Sequence, residues 1–187
     1  AARHAVGSET DTLEKARLVF RFVRRHMQYA YPPPGGRGAS VAMKLGKGDC
    51  GQYADLFVAM CRSVGIPARF AGGFGLTLGG PDDRQTTVGS HAWAEFMLPD
   101  GRWLPADATN TEDACFGKLL DVTHLTASVG RNIPLPGAPE WANAKCCDME
   151  RGRTPFMQAY TEVMTGVRGD ISSRKTAGTR TTGTIPH

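Results

Sequence analysis

Three residues in this chain have the types and surroundings of a nucleophile, a base and an orienting carboxylate: Cys50, His91 and Asp107. A thiol of ordinary pKa ~8.5 is a weak nucleophile near neutrality, because only its anion attacks strongly. Gly48-Asp49-Cys50-Gly51-Gln52 reads as the start of a helix, with Gly48 breaking the chain, Asp49 as cap and Gln52 three residues on. A cysteine in a first helical turn meets unpaired N–H groups and the positive end of the helix dipole, and both favour the thiolate. Gly51 leaves the backbone beside it open to a substrate. Cys61 falls mid-helix among apolar neighbours and reads as core.

A nucleophilic cysteine needs a base, and the base needs an acceptor to orient it. The segment from His91 to Leu98 alternates, with His91, Trp93, Glu95 and Met97 on one face. Pro99-Asp100-Gly101 is a turn, after which Arg102 to Asp107 runs back. A two-residue loop would put His91 and Asp107 on opposite faces. A three-residue loop places Trp93 opposite Asp107, with His91 one diagonal step away on the same face. Three-residue hairpin loops put glycine at their left-handed last position, where Gly101 stands, so the productive register is expected. Diagonal neighbours ~7–8 Å apart at the backbone are within side-chain reach. Trp93 and Trp103 then form a wall behind the pair that excludes water.

These groups need elements to hold them. A helix is expected from Asp11, with Glu14 at the reciprocal capping position and Leu13, Ala16, Phe20, Val23 and Met27 forming its buried stripe. Arg17, Arg21, Arg24 and Arg25 read as its solvated face. The helix opening at Cys50 is apolar nearly all round, as a helix buried between layers must be, and Gly65 and Pro67 end it. From Ala68 to Leu76 a short strand carries Gly72, Gly73 and Gly75, which signal a bulge or a close backbone approach. Helix, buried helix, then antiparallel strands make an α+β pattern.

At 187 residues the chain suits one domain with a sizeable core, taken as residues 1–165, followed by a tail over 166–187 rich in Gly, Thr, Ser and Arg. The net charge of +4 comes without clustered Lys/Arg or a recognition motif, so no nucleic-acid partner is expected. No run approaches the ~18 apolar residues of a membrane span. No signal peptide is seen, and the chain opens Ala1-Ala2 rather than with Met, as processing or trimming would leave it. Localisation stays open. Five cysteines cannot all pair with one another. Cys115, His124, Cys146 and Cys147 have metal-ligating side chains but lack the short spacings of a zinc site, so no metal and no cofactor are expected; a Cys115 disulfide to Cys146 or Cys147, or free thiols, are the alternatives.

Several runs of residues together resemble the bacterial transglutaminase-like family. They are Gly48-Asp49-Cys50, Tyr53-Ala54-x-Leu56-Phe57, Arg62-Ser63-x-Gly65-Ile66-Pro67-Ala68-Arg69, His91-Ala92-Trp93-x-Glu95 and Trp103-Leu104-Pro105-Ala106-Asp107-Ala108-Thr109. The resemblance covers roughly residues 13–136, and Phe116-Gly117 through Gly130-Arg131-Asn132-Ile133 is similar to the segment after the triad in one bacterial branch. It implies a papain-like α+β fold, with the cysteine helix packed on an antiparallel sheet. It also implies Cys50 as nucleophile, His91 as base and then acid, and Asp107 as orienter, in acyl transfer through a thioester. The Cys50 backbone N–H is the expected oxyanion donor, and for a second, side-chain donor upstream of Cys50 both Gln28 and Tyr29 are candidates. Many relatives have proline after the aspartate where this chain has Ala108, which removes no chemical group.

The expected partner is a peptide or protein amide, hydrolysed by a cysteine peptidase or amidase. Glutamine transfer to amines or deamidation is the first alternative, and a non-catalytic binding module on the same fold is the second. Residues 76–90 are placed to line the cleft and Trp141 to clasp the C-terminal segment; the tail reads as ordered only where it finds a surface, with occupation of the cleft the minor alternative. Nothing in the sequence names the amide or the oligomeric state.

Overall fold

The computed structural model describes residues 1–77, 87–109, 113–119 and 123–131. Its elements are α1 (Ala2–Val6), α2 (Thr12–His26), β1 (Gln28–Tyr29), α3 (Ala39–Leu45), β2 (Lys47–Gly48), α4 (Cys50–Ser63), β3 (Ala68–Thr77), β4 (Thr87–Met97), β5 (Trp103–Ala106), a single 3₁₀ turn (Asp113–Cys115) and β6 (His124–Val129). The α+β reading holds: α4 packs on an antiparallel sheet of order β5-β4-β3-β6, with α2 on its other side.

Asp11 caps α2, accepting from Glu14 N at 2.9 Å. The capping is not reciprocal as expected. The Glu14 carboxylate turns to Arg17, and the Asp11 N–H donates to Glu9 Oε1 at 2.8 Å. The arginine face is also less solvated than expected. Arg21 and Arg24 both bond Asp113 of the 3₁₀ turn, at 3.0 and 2.9 Å, and Arg17 lies over the Phe116 ring. Those contacts fasten the segment after β5 to α2. They matter for the site because Cys115 O accepts from Asp107 N at 2.9 Å.

The core is aromatic at its centre: Phe20 meets Phe57 and Phe116, and Phe96 stacks on Phe116. Burying side chains of this size stabilises by ~2–3 kcal/mol each relative to exposure. Among the described residues, Gln52 is the one large polar side chain that is fully buried. Gly65 ends α4 with φ +81°, and Ile66 N returns to Cys61 O at 3.0 Å, the left-handed cap that the sequence predicts.

β4 starts earlier than the alternation suggests, at Thr87, so His91 lies inside the strand rather than opening it. Ala94 faces Ala106, Phe96 faces Leu104 and Met97 faces Trp103. That is the three-residue-loop register, and Gly101 holds the left-handed position at φ +86°. The glycines of β3 serve a close approach. The β3–β6 register shifts between Gly72 and Gly73, and a Cβ at Gly73 would collide with the carbonyl oxygen of Leu125. Among the described residues no helix is long and apolar enough to cross a membrane.

Candidate active site

Cys50 is the first residue of α4, half-buried, and its position is set by its neighbours. Asp49 caps the helix, accepting from Gln52 N at 3.2 Å and from Arg37 Nη1 at 2.8 Å. Gln52 donates its amide to Gly36 O at 3.1 Å, while the rest of its side chain fills the space a Cβ at Gly48 would need. One turn on, Asp55 pairs with Arg131 at 2.7 Å, and the Arg131 guanidinium lies over the Phe70 ring. Burial pushes the Asp55 carboxyl up to about 6 even against that guanidinium, with Asp49 adding to the rise.

His91 and Asp107 meet as the hairpin register requires: His91 Nε2 lies 2.9 Å from Asp107 Oδ2. Cys50 is near enough to act on the same imidazole. Burial alone would hold His91 neutral. The hydrogen bond to Asp107 and the proximity of Cys50, with the charges of both, outweigh burial and push the ring up to about 10. Burial would likewise raise Asp107, yet its hydrogen bonds from His124, His91 and Thr109, with the charge of His91, hold it well below the usual carboxylate range. Of the three sequence-predicted groups, His91 and Asp107 are in direct contact, and Cys50 acts on the same imidazole.

The residue that the sequence reading missed here is His124. Its Nε2 lies 3.1 Å from the same Asp107 oxygen that His91 uses, and its Nδ1 is 2.9 Å from Thr123 Oγ1. The sequence offers it only as a metal-ligating side chain alongside Cys115, Cys146 and Cys147. The glycine-rich β3 was the available signal, because its close backbone approach needs a neighbouring chain, and that chain is β6. His91, Asp107 and His124 each offer one ligand atom within 4.8 Å of the others, and both imidazoles already bond the carboxylate.

Trp93 is 1% exposed and lies behind both imidazoles, with ring centroids 6.0 Å from His91 and 5.0 Å, edge to face, from His124. Trp103 does not join this wall. It stands opposite Met97, six residues (~20 Å) along β4 from His91, with the Arg69 guanidinium on its ring. Of the two upstream candidates for an oxyanion donor, Tyr29 pairs with Gly48, just ahead of Cys50. Burial, followed by the charges of Cys50, Asp49, Tyr31 and Asp107, raises the Tyr29 hydroxyl, so it keeps its proton at neutral pH. Cys61 is fully buried, and burial pushes its thiol far up, as a core role implies. Cys115 is buried as well. Residues 78–86, Trp141, Cys146, Cys147 and the 166–187 tail lie outside the described residues.

The model of the transglutaminase-like superfamily, its core domain, matches residues 1–108. An uncharacterized protein of Haemophilus influenzae is 29% identical over 126 residues, which is 56% of this chain and 34% of that protein. The chain therefore spans about a third of the length of this curated relative. Among solved structures, a proposed cysteine protease from Cytophaga hutchinsonii shares 25% identity at a TM-score of 0.48, covering 58% of this chain and 35% of that one. The periplasmic domain of TgpA from Pseudomonas aeruginosa, bound to ethylmercury, shares 23% identity at a TM-score of 0.48, covering 58% and 41%. With the family model matching more than half of its residues, this chain belongs to the transglutaminase-like superfamily.

Proposed function

We propose that this chain is a thiol-dependent acyl-transfer enzyme that hydrolyses peptide or amide bonds through Cys50, His91 and Asp107. The observation that supports the reading is the imidazole of His91, bonded to Asp107 at 2.9 Å and pushed toward its charged form by Asp107 and Cys50 together. Asp107 takes His91 Nε2, which leaves Nδ1 to exchange a proton with the thiol.

The thiolate of Cys50 adds to the amide carbonyl carbon, and the oxygen becomes an oxyanion. The Cys50 backbone N–H, in the first turn and without an intrahelical acceptor, is one donor to it. The protonated Tyr29 hydroxyl is the candidate for the second. The C–N bond then breaks, and the imidazolium of His91 delivers its proton to the departing amine. In the second half His91 accepts a proton from water, the hydroxide adds to the thioester carbonyl, and the C–S bond breaks to release the acid and restore the thiolate. Asp107 is buried and held ionised, so it steers the ring and stabilises its charged form without taking its proton.

The test is partition of the thioester. Incubation with a glutamine-containing peptide and a labelled primary amine should give the hydrolysed product with little incorporated label, and Cys50→Ala should give neither. Dominant amine incorporation would make the chain a transferase.

A further inference from the structure

We infer that His124 is a positioning residue of this site, holding the Asp107 carboxylate in the one orientation that lets it serve His91. The inference rests on the triad reading above and adds a fourth group to it.

Asp107 Oδ2 faces two ring nitrogens, His91 Nε2 at 2.9 Å and His124 Nε2 at 3.1 Å. With Asp107 ionised, both nitrogens carry the proton and donate. Its other oxygen accepts from Thr109 N at 3.0 Å and from the Thr109 hydroxyl. A carboxylate has about four acceptor sites, and these four donors fill them. A buried carboxylate with a vacant site would turn to recover the lost bond or take up a proton. Either change would withdraw it from His91. His124 closes that route.

The ring is itself held so that Nε2 faces Asp107. The Thr123 hydroxyl sits 2.9 Å from Nδ1 and, by bonding that nitrogen, fixes the rotation of the ring. Trp93 packs edge to face on His124, and the His124 side chain is 6% exposed, so water does not offer a substitute donor. The strand that brings His124 in is fixed by the close approach at Gly73. The groups facing Asp107 are His91 from β4, His124 from β6 and Thr109 just after it, with Tyr29 from β1 within electrostatic range. Among its bonds, that from His124 is the largest of the influences that keep Asp107 ionised against burial.

The test is the pH dependence of iodoacetamide alkylation at Cys50 in the full chain, read by peptide mass. In the wild type the rate should rise with pH along a profile that His91 sets, and His91→Ala should displace that profile. His124→Phe keeps a ring against Trp93 but donates nothing, and it should move the rise upward by about one pH unit. His124→Gln, whose amide can donate to Asp107, should restore most of the shift. The isosteric Thr123→Val should move it in the same direction by less, which gives a second readout if the phenylalanine variant folds poorly. A His91-dependent rise that neither His124→Phe nor Thr123→Val displaces, whatever their melting temperatures, would overturn the positioning role alone. A wild-type profile indifferent to His91→Ala would overturn the triad reading and this inference with it.

Discussion

His91 Nε2 lies 2.9 Å from Asp107 Oδ2, sixteen residues apart in sequence, because the three-residue turn between their strands sets the register. Leu98 and Arg102 bracket the three-residue loop, with Leu98 N donating to Arg102 O at 2.9 Å and Gly101 N to Leu98 O at 2.9 Å. A loop shorter by one residue would send every following side chain to the opposite face.

That relationship makes Gly101 a test of register separately from stability. Gly101→Ala meets no neighbouring atom and pays only for φ +86°, so it should lower stability by ~1 kcal/mol and leave Cys50 reactivity intact. Deleting Gly101 should abolish the enhanced reactivity of Cys50 even where circular dichroism reports a folded chain. Thermal melts and iodoacetamide rates on the two variants check both outcomes.

Gly73→Ala behaves differently, because the added Cβ would run into the Leu125 carbonyl of β6. Backbone yields poorly to such overpacking, and a loss of ~3 kcal/mol is expected. Since β6 carries His124, the surviving folded fraction should also lose the His91-dependent reactivity of Cys50. Denaturant titration measures the first effect. Alkylation at several pH values measures the second.

Asp49→Ala removes a helix cap and the partner of a largely buried guanidinium, Arg37. A cap is worth ~1 kcal/mol, and breaking a buried ion pair costs ~3 or more, so a loss near ~3–4 kcal/mol is expected in a chemical melt. Asp49→Asn, which keeps the cap acceptor, should recover about a third of it.

Stability should also carry the signature of the site in its pH dependence. His91 is raised from 6.5 to about 10, so the native state binds its proton more tightly than the unfolded chain does. The resulting stabilisation is fully present below pH 6.5 and is lost progressively as pH rises toward 10. Asp107 is shifted downward, so its contribution is present above the ordinary carboxylate range and erodes in acid. Melting temperature should therefore fall on the alkaline side in the wild type, and His91→Gln should flatten that limb.

The parts legible in sequence were those governed by local rules. Asp11 and Asp49 as caps, Gly65 as a left-handed stop and Gly101 as a register-setting turn residue each follow from backbone geometry within a few positions. Cys50, His91 and Asp107 could be joined because one helix start and one hairpin suffice to aim them. Other features depended on tertiary partners. Glu14 gave up its reciprocal cap for Arg17, Asp113 recruited Arg21 and Arg24, and Trp103 went to Arg69, since charged and aromatic groups settle on whichever neighbour the fold supplies. The short pieces α1, β1, α3 and β2 lack the periodicity that marks longer elements. β6 was hidden for a further reason: its pairing with β3 joins residues 49 to 58 positions apart and leaves its trace only in the glycines of β3.

Iodoacetamide labelling of Cys50 at neutral pH, compared between wild type and His91→Ala, tests the central claim most directly. Faster labelling in the wild type by tenfold or more, confined to Cys50, is the predicted result. Equally slow labelling in both proteins would contradict it and leave the fold as a binding scaffold with an inert thiol.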